Sequence, residues 1–201
     1  ASIATAALNL AANPFGDAAI AALSIVSRYM MFIGSAMIGF GQGFQPVCGF
    51  NYGARKYERV TRGFRFCVKA SSLILLTLAV LGFLFAPQII AVFRGDDPEV
   101  VRIGALTLRL QCISFPITGF VVMSNMLLQN IAMTLRASIV AAARQGLFFV
   151  PFALILPHLF GLAGVQCCQA ASDLCAFILA LCVTLPVVRQ LSEGKNPHDA
   201  I

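Results

Sequence analysis

The chain has 201 residues, of which 59% are hydrophobic and only 11% charged, and its mean hydropathy is +0.88. An ordinary soluble domain carries about 25% charged residues, so water is excluded as the solvent for most of this chain and an integral, all-α membrane protein is expected. The net charge of +6 does not point to nucleic acid: six of the cations, Arg55, Lys56, Arg59, Arg62, Arg65 and Lys69, gather in one polar break with no nucleic-acid-binding motif beside them.

Six helical segments follow from the apolar runs and their breakers. The first, Ala1 to Asn13, would extend only about 18 Å as a helix, short of the ~30 Å hydrocarbon core. It has no basic flank of a signal peptide and reads as a helix severed from missing upstream sequence. Asn13-Pro14-Phe15-Gly16 ends it, and Asp17 is placed to cap the second segment, Ala18 to Phe50. On that segment Ser35, Gly39 and Gly43 recur every fourth residue, the small face that lets a neighbouring helix approach in lipid. Pro46 removes a backbone donor and is expected to kink the helix. Gln42, Gln45 and Asn51 either bond the freed carbonyls or face a water-filled cavity. Gly39, Gly41 and Gly43 lack the preceding strand and the spacing of a phosphate-cradling loop.

The second segment exits into a basic loop, Arg55 to Lys69, expected to contact anionic membrane lipids. The third runs from Phe66 to Phe93, with Pro87 near its far end. Arg94-Gly95-Asp96-Asp97-Pro98 is a turn, and Pro98 and Glu99 suit the first turn of the fourth segment, which reaches Ala132 and carries Arg109, Asn125 and Gln129. The fifth runs from Leu135 to Leu156, Pro157 to Gly161 forms the next break, and the sixth ends near Val188 before a polar tail.

Alternating sides puts the basic loop, the region around Arg136 and Arg144, and the Arg189 to Lys195 tail on one face of the membrane, the cytoplasmic one by the positive-inside rule. Charge inside the bilayer costs at least about 2.5 kcal/mol, which makes Asp173, flanked by Gln166, Gln169 and Ser172, the prime candidate for a proton or ion step. The alternative is a structural carboxylate held by a hydrogen bond or an arginine. Arg28 and Arg109 either snorkel or take a binding or gating role inside the membrane. Asn9, Asn13, Gln45, Asn125 and Gln129 line a cavity or bond between helices. Phe64, Phe66, Phe83, Phe85, Phe148, Phe149 and Phe152 offer aromatic faces to a flat cation or simply pack. Cys168, Cys175 and Cys182 stand about 10 Å apart in successive steps, too far to share a zinc ion. No catalytic residue, metal site or cofactor is expected, since the two histidines, His158 and His198, fall at a helix end and in the tail.

Gly43-Phe44-Gln45-Pro46-Val47-Cys48-Gly49-Phe50-Asn51-Tyr52-Gly53-Ala54 resembles the "QG-x-QP-x-x-G-x-NYGA" stretch of the multidrug and toxic compound extrusion (MATE) transporters. The basic "RKYERV" run that follows, Arg144-Gln145 with Pro151, and Gly161-Leu162-Ala163-Gly164-Val165 with Asp173 are similar to later features of the same family. The resemblance covers essentially the whole chain. It implies that residues 1–201 form the carboxy-terminal lobe, helices seven to twelve, of a transporter whose amino-terminal six-helix lobe is absent. It further implies efflux of small organic, often cationic compounds in exchange for H⁺ or Na⁺, with substrate held between the lobes in a bacterial inner membrane. Some members carry an acidic cation-site residue in the helix equivalent to Val100 to Ala132, and this sequence has none there beyond Glu99. The rival readings are a lipid-linked saccharide flippase of the same superfamily, which calls for a strongly cationic cavity, and a non-transporting structural membrane subunit.

Overall fold

The computed structural model describes Pro14 and residues 16–200, and among them no strand forms. The helices, in chain order, are α1 (Asp17–Gly53), α2 (Tyr57–Leu84), α3 (Ala86–Arg94), α4 (Pro98–Asn130), α5 (Thr134–Ala142), α6 (Phe149–Phe160) and α7 (Leu162–Ser192). A π-helical turn, Ala143–Leu147, joins α5 to α6, and a 3₁₀ turn, Pro197–Ala200, closes the chain. Helices α1, α2, α4 and α7 are each long and apolar enough to cross a membrane, so the chain is a multi-span membrane protein. The expected first segment, with Asn9 and Asn13, lies outside the described residues.

Helix α4 is the axis of the bundle and packs against α1, α2, α3, α5 and α7. Its buried residues run along its whole length and around its circumference, from Val100 and Ile103 to Leu127 and Leu128, as a helix apolar on all sides requires. Asp97 starts it by accepting hydrogen bonds from the Glu99 and Val100 amides at 3.0 and 3.3 Å, with Pro98 at the first helical position. Among the described residues two large apolar cores stack along the bundle, beside a small third one around Phe149, Ala153 and Cys168. One holds Ala19, Ala22, Ala86, Ile90, Val100 and Leu108; the other holds Phe44, Val60, Phe64, Leu127, Ile131 and Leu191. In the second, an aromatic ladder runs from Phe44 through Phe64 and Phe120 to Phe177, with ring centroids 6.5, 6.1 and 5.5 Å apart. Phe64 is therefore a packing residue.

Five expectations change. The basic stretch is helix, not loop: only Ala54 to Lys56 separate α1 from α2, and Arg59, Arg62, Arg65 and Lys69 sit on the first turns of α2. The reason is visible at helical spacing, since Val60, Thr61 and Phe64 alternate with the cations and are buried. The third segment breaks at Phe85, where α2 ends and α3 begins with Ala86 and Pro87. The fifth is divided by the π turn.

The fourth concerns the small face of α1. Ser35, Gly39 and Gly43 are exposed, and a Cβ added to either glycine would meet nothing within 4 Å. The close approach is made instead by Gly41, where a Cβ would come within 3.1 Å of both Met123 and Met126 on α4. Asp17 occupies the first turn of α1, next to an N-cap at Gly16, so it complements the helix dipole rather than capping. Helix α1 continues through Pro46 for about two more turns.

The tail folds back. The Tyr52 hydroxyl donates to Asn196 Oδ1 at 2.8 Å, and His198 Nε2 lies 2.7 Å from the Ile131 carbonyl. Hydrogen bonding and charge from Lys195, with Arg189 adding to them, hold the Glu193 carboxyl below its ordinary range.

Candidate functional site

Asp173 lies on α7 with its side chain 2% exposed and is the one acidic or basic residue among the buried polar groups of the described residues. Three elements supply its donors. Arg144 Nε, from the π turn, stands 3.3 Å from Oδ1; Gln169 Nε2, one turn earlier on α7, is 3.1 Å from the same oxygen; Ser114 Oγ, from α4, is 3.2 Å from Oδ2. A fourth contact fixes the turn itself, because the Ser172 hydroxyl donates to the Arg144 carbonyl at 3.3 Å.

A π turn admits one residue more than an α turn and recurs at functional positions; here it is the segment that delivers Arg144. The sequence expectation that grouped Arg144 with Arg136 at a membrane face is thereby corrected. Arg144 belongs to the interior cluster, and the signal was its place well inside an apolar run. Ser114, at the midpoint of α4, was missed because an isolated serine in a membrane helix carries no pattern.

The Ser114 hydroxyl links the carboxylate to the backbone of α4. The Ser114 hydroxyl is 3.2 Å from Asp173 Oδ2 and 2.9 Å from the Gln111 carbonyl, and it has one proton for the two. With Asp173 ionised, Ser114, Gln169 and Arg144 all donate to it. With Asp173 protonated, the carboxyl can donate to Ser114 Oγ while Ser114 turns its proton to Gln111. On the same face of α4, Gln111 Oε1 is buried with no partner among the described residues, which leaves an acceptor open one turn away. Around it Thr107 donates to the Ile103 carbonyl, Thr118 to that of Ser114, and Gln166 on α7 also to Ile103, while the buried hydroxyls of Ser124 and Thr184, like Gln111 Oε1, have no partner among the described residues.

Arg144 has a second neighbour. Its side chain, 24% exposed, lines a cavity of about 230 Å³ with Asn125, Met126, Val140 and Ile38. Several of the other candidates gather around it. Asn125 Nδ2 donates to the Ala137 carbonyl at 2.8 Å and its Oδ1 accepts from Gln129 at 2.6 Å, while Gln45 Nε2 contacts Met126 Sδ at 3.0 Å. Gln45 is thus tied to α4, not to a carbonyl freed by Pro46. Arg109 is not brought into this group. Its Nε donates to the Phe83 carbonyl at 3.2 Å and its guanidinium lies 5.5 Å from the Phe83 ring centre, which satisfies a carbonyl in the last turn of α2. The Asn51 side chain bonds back within α1, to the Val47 carbonyl at 2.8 Å.

A family model described as MatE matches residues 1–155. The multidrug export protein MepA of Staphylococcus haemolyticus (strain JCSC1435) is 25% identical over 189 residues, covering 94% of this chain and 41% of its own. The MepA of Staphylococcus aureus (strain MSSA476) is 26% identical over 179 residues, covering 89% and 39%. The chain therefore spans about two-fifths of the length of these curated relatives. Two solved structures share the fold. One is described as the outward-facing conformation of a multidrug resistance MATE family transporter of the MOP superfamily, with a TM-score of 0.87 and 24% identity over 94% of this chain and 43% of that one. The other is a point mutant of the Vibrio cholerae MATE transporter VcmN, with a TM-score of 0.87 and 20% identity over 96% and 44%.

Proposed function

This chain belongs to the MatE family, and on that footing we propose that it is one six-helix lobe of a secondary multidrug efflux transporter, working by alternating access with a second lobe. In this reading small organic, often cationic compounds leave in exchange for H⁺ or Na⁺ across a bacterial inner membrane, and the turn between α1 and α2 faces the cytoplasm. What supports it is a pair of observations. The similarity to multidrug export proteins runs along nearly the whole chain yet covers about two-fifths of theirs, and the one buried carboxylate among the described residues is held by donors from three elements.

Exchange of a proton requires an acid that is shielded from bulk water and tolerable in both states, and Asp173 with Ser114 and Gln169 has the donors for one state and the acceptor for the other. Arg144 then responds to the change. It is attracted to the ionised carboxylate and is free of that attraction when the carboxyl is neutral, which links the charge of Asp173 to the π turn between α5 and α6 and to the cavity beside Asn125.

The test is efflux by the intact transporter. Asp173→Asn is expected to abolish drug resistance with expression unchanged and to flatten the pH dependence of transport, and Ser114→Ala to shift that dependence while leaving the protein folded. Wild-type efflux with an unaltered pH profile in Asp173→Asn would reduce the residue to a structural carboxylate.

A further inference from the structure

We propose that the groove between the start of α2 and the end of α7 is a binding site for the phosphate headgroup of an anionic membrane phospholipid. The groove has a volume of about 530 Å³ and is lined by Arg62, Arg65 and Lys69 with Thr61, Phe66 and Ser192. Spacings of three and four place the three cations on one side of α2. Glu58 also lines the groove, and its carboxylate engages Arg62 at 3.3 Å, but both side chains are 80% exposed, so this is a weak surface pair. The side chains of Arg65 and Lys69, both exposed, make no hydrogen bond or ion pair within the described residues. The groove therefore presents three cations against one carboxylate, two of them uncommitted.

Charge alone would suit any phosphate; the surface next to it selects a lipid. The same side of α2 changes character below the cations. Phe66 is 69% exposed, and Leu73, Leu76 and Val80 follow at 64, 47 and 50%, at spacings that continue one helical stripe. From Lys69 to Val80 the stripe descends about 16 Å, close to the ~15 Å of hydrocarbon in one leaflet. A headgroup held by Arg65 and Lys69 would thus have an apolar helix face of leaflet depth beneath it for its acyl chains. The hydroxyls of Thr61 and Ser192 are already turned to the Tyr57 and Arg189 carbonyls, and their oxygens remain acceptors for a glycerol hydroxyl. The groove draws on α2 and α7, whose Phe64 and Phe177 both pack against Phe120 of α4, so an occupant would bridge the two helices.

The experiment is native mass spectrometry on the intact, delipidated protein titrated with phosphatidylglycerol, phosphatidylcholine or inorganic phosphate. Phosphatidylglycerol is expected to bind preferentially. Arg65→Gln with Lys69→Gln should weaken it by about 25-fold, roughly fivefold for each cation, while Arg65→Lys with Lys69→Arg retains it and Arg102→Gln, on a different helix, changes nothing. Thermal unfolding of each variant checks that these exposed substitutions leave the fold intact. Equal binding of phosphatidylcholine, or an unchanged affinity in the double glutamine variant, would overturn the site. Displacement of the lipid by millimolar inorganic phosphate would overturn the lipid as its occupant.

Discussion

At the scale of the residue, the interior of this bundle is decided by a few polar atoms that must be satisfied in a medium without water. Asp173 was legible as an anomaly in the sequence, a carboxylate within an apolar helix, but its partners were not. Its three donors come from positions 114, 144 and 169, and only the last is near it along the chain. A different kind of residue-scale strain is recorded at Ala132, which has φ 59° and is exposed in the turn after α4. A Cβ is unfavourable in the left-handed region, and Ala132→Gly is expected to raise the stability of the protein by about 1 kcal/mol. Thermal unfolding in detergent checks this, and an unchanged or lowered midpoint would show the turn to be relaxed as it stands.

At the scale of the element, hydropathy located the membrane helices and misjudged their ends. The start of α2 was read as loop because its mean hydropathy is lowered by cations, although Val60 and Phe64 already carried the helical period beneath them. The π turn had no such signature: Ala143-Arg144-Gln145-Gly146-Leu147 reads as ordinary helix, and the extra residue is accepted because Arg144 and Ser172 gain partners by it. The turn between α6 and α7 shows how tightly elements are set against each other. Gly161 adopts φ 57°, and a Cβ on Gly164 would collide with the Leu156 carbonyl, a backbone atom that cannot step aside. Gly164→Ala is expected to cost about 3 kcal/mol and to separate α6 from α7. The check is unfolding together with the reactivity of Cys168, which is buried beside Phe149 and Ala153 and should become accessible to thiol reagents.

At the scale of the whole molecule, the proposed reading as one lobe of a carrier asks that a rigid bundle move with its interior packed, and the apolar cores around α4 supply such an interior among the described residues. Packing among the described residues leaves the stripe of Ser35, Gly39 and Gly43 on α1 open. Orientation is a property of the whole chain, and a cysteine in place of Arg62 tests it. An impermeant thiol reagent is expected to label it from the cytoplasm only; labelling from outside would invert the topology. The sequence by itself determined the solvent, the class of fold, the succession of apolar segments after the first and the family, because apolar run length and a contiguous signature from Gly43 to Ala54 are local properties that survive without a partner. Tertiary structure alone decided which polar residues act together. Burial makes an unpaired polar group costly, and the partners that relieve the cost are chosen by the crossing of α4, the π turn and α7 in space, about which spacing along the chain says nothing.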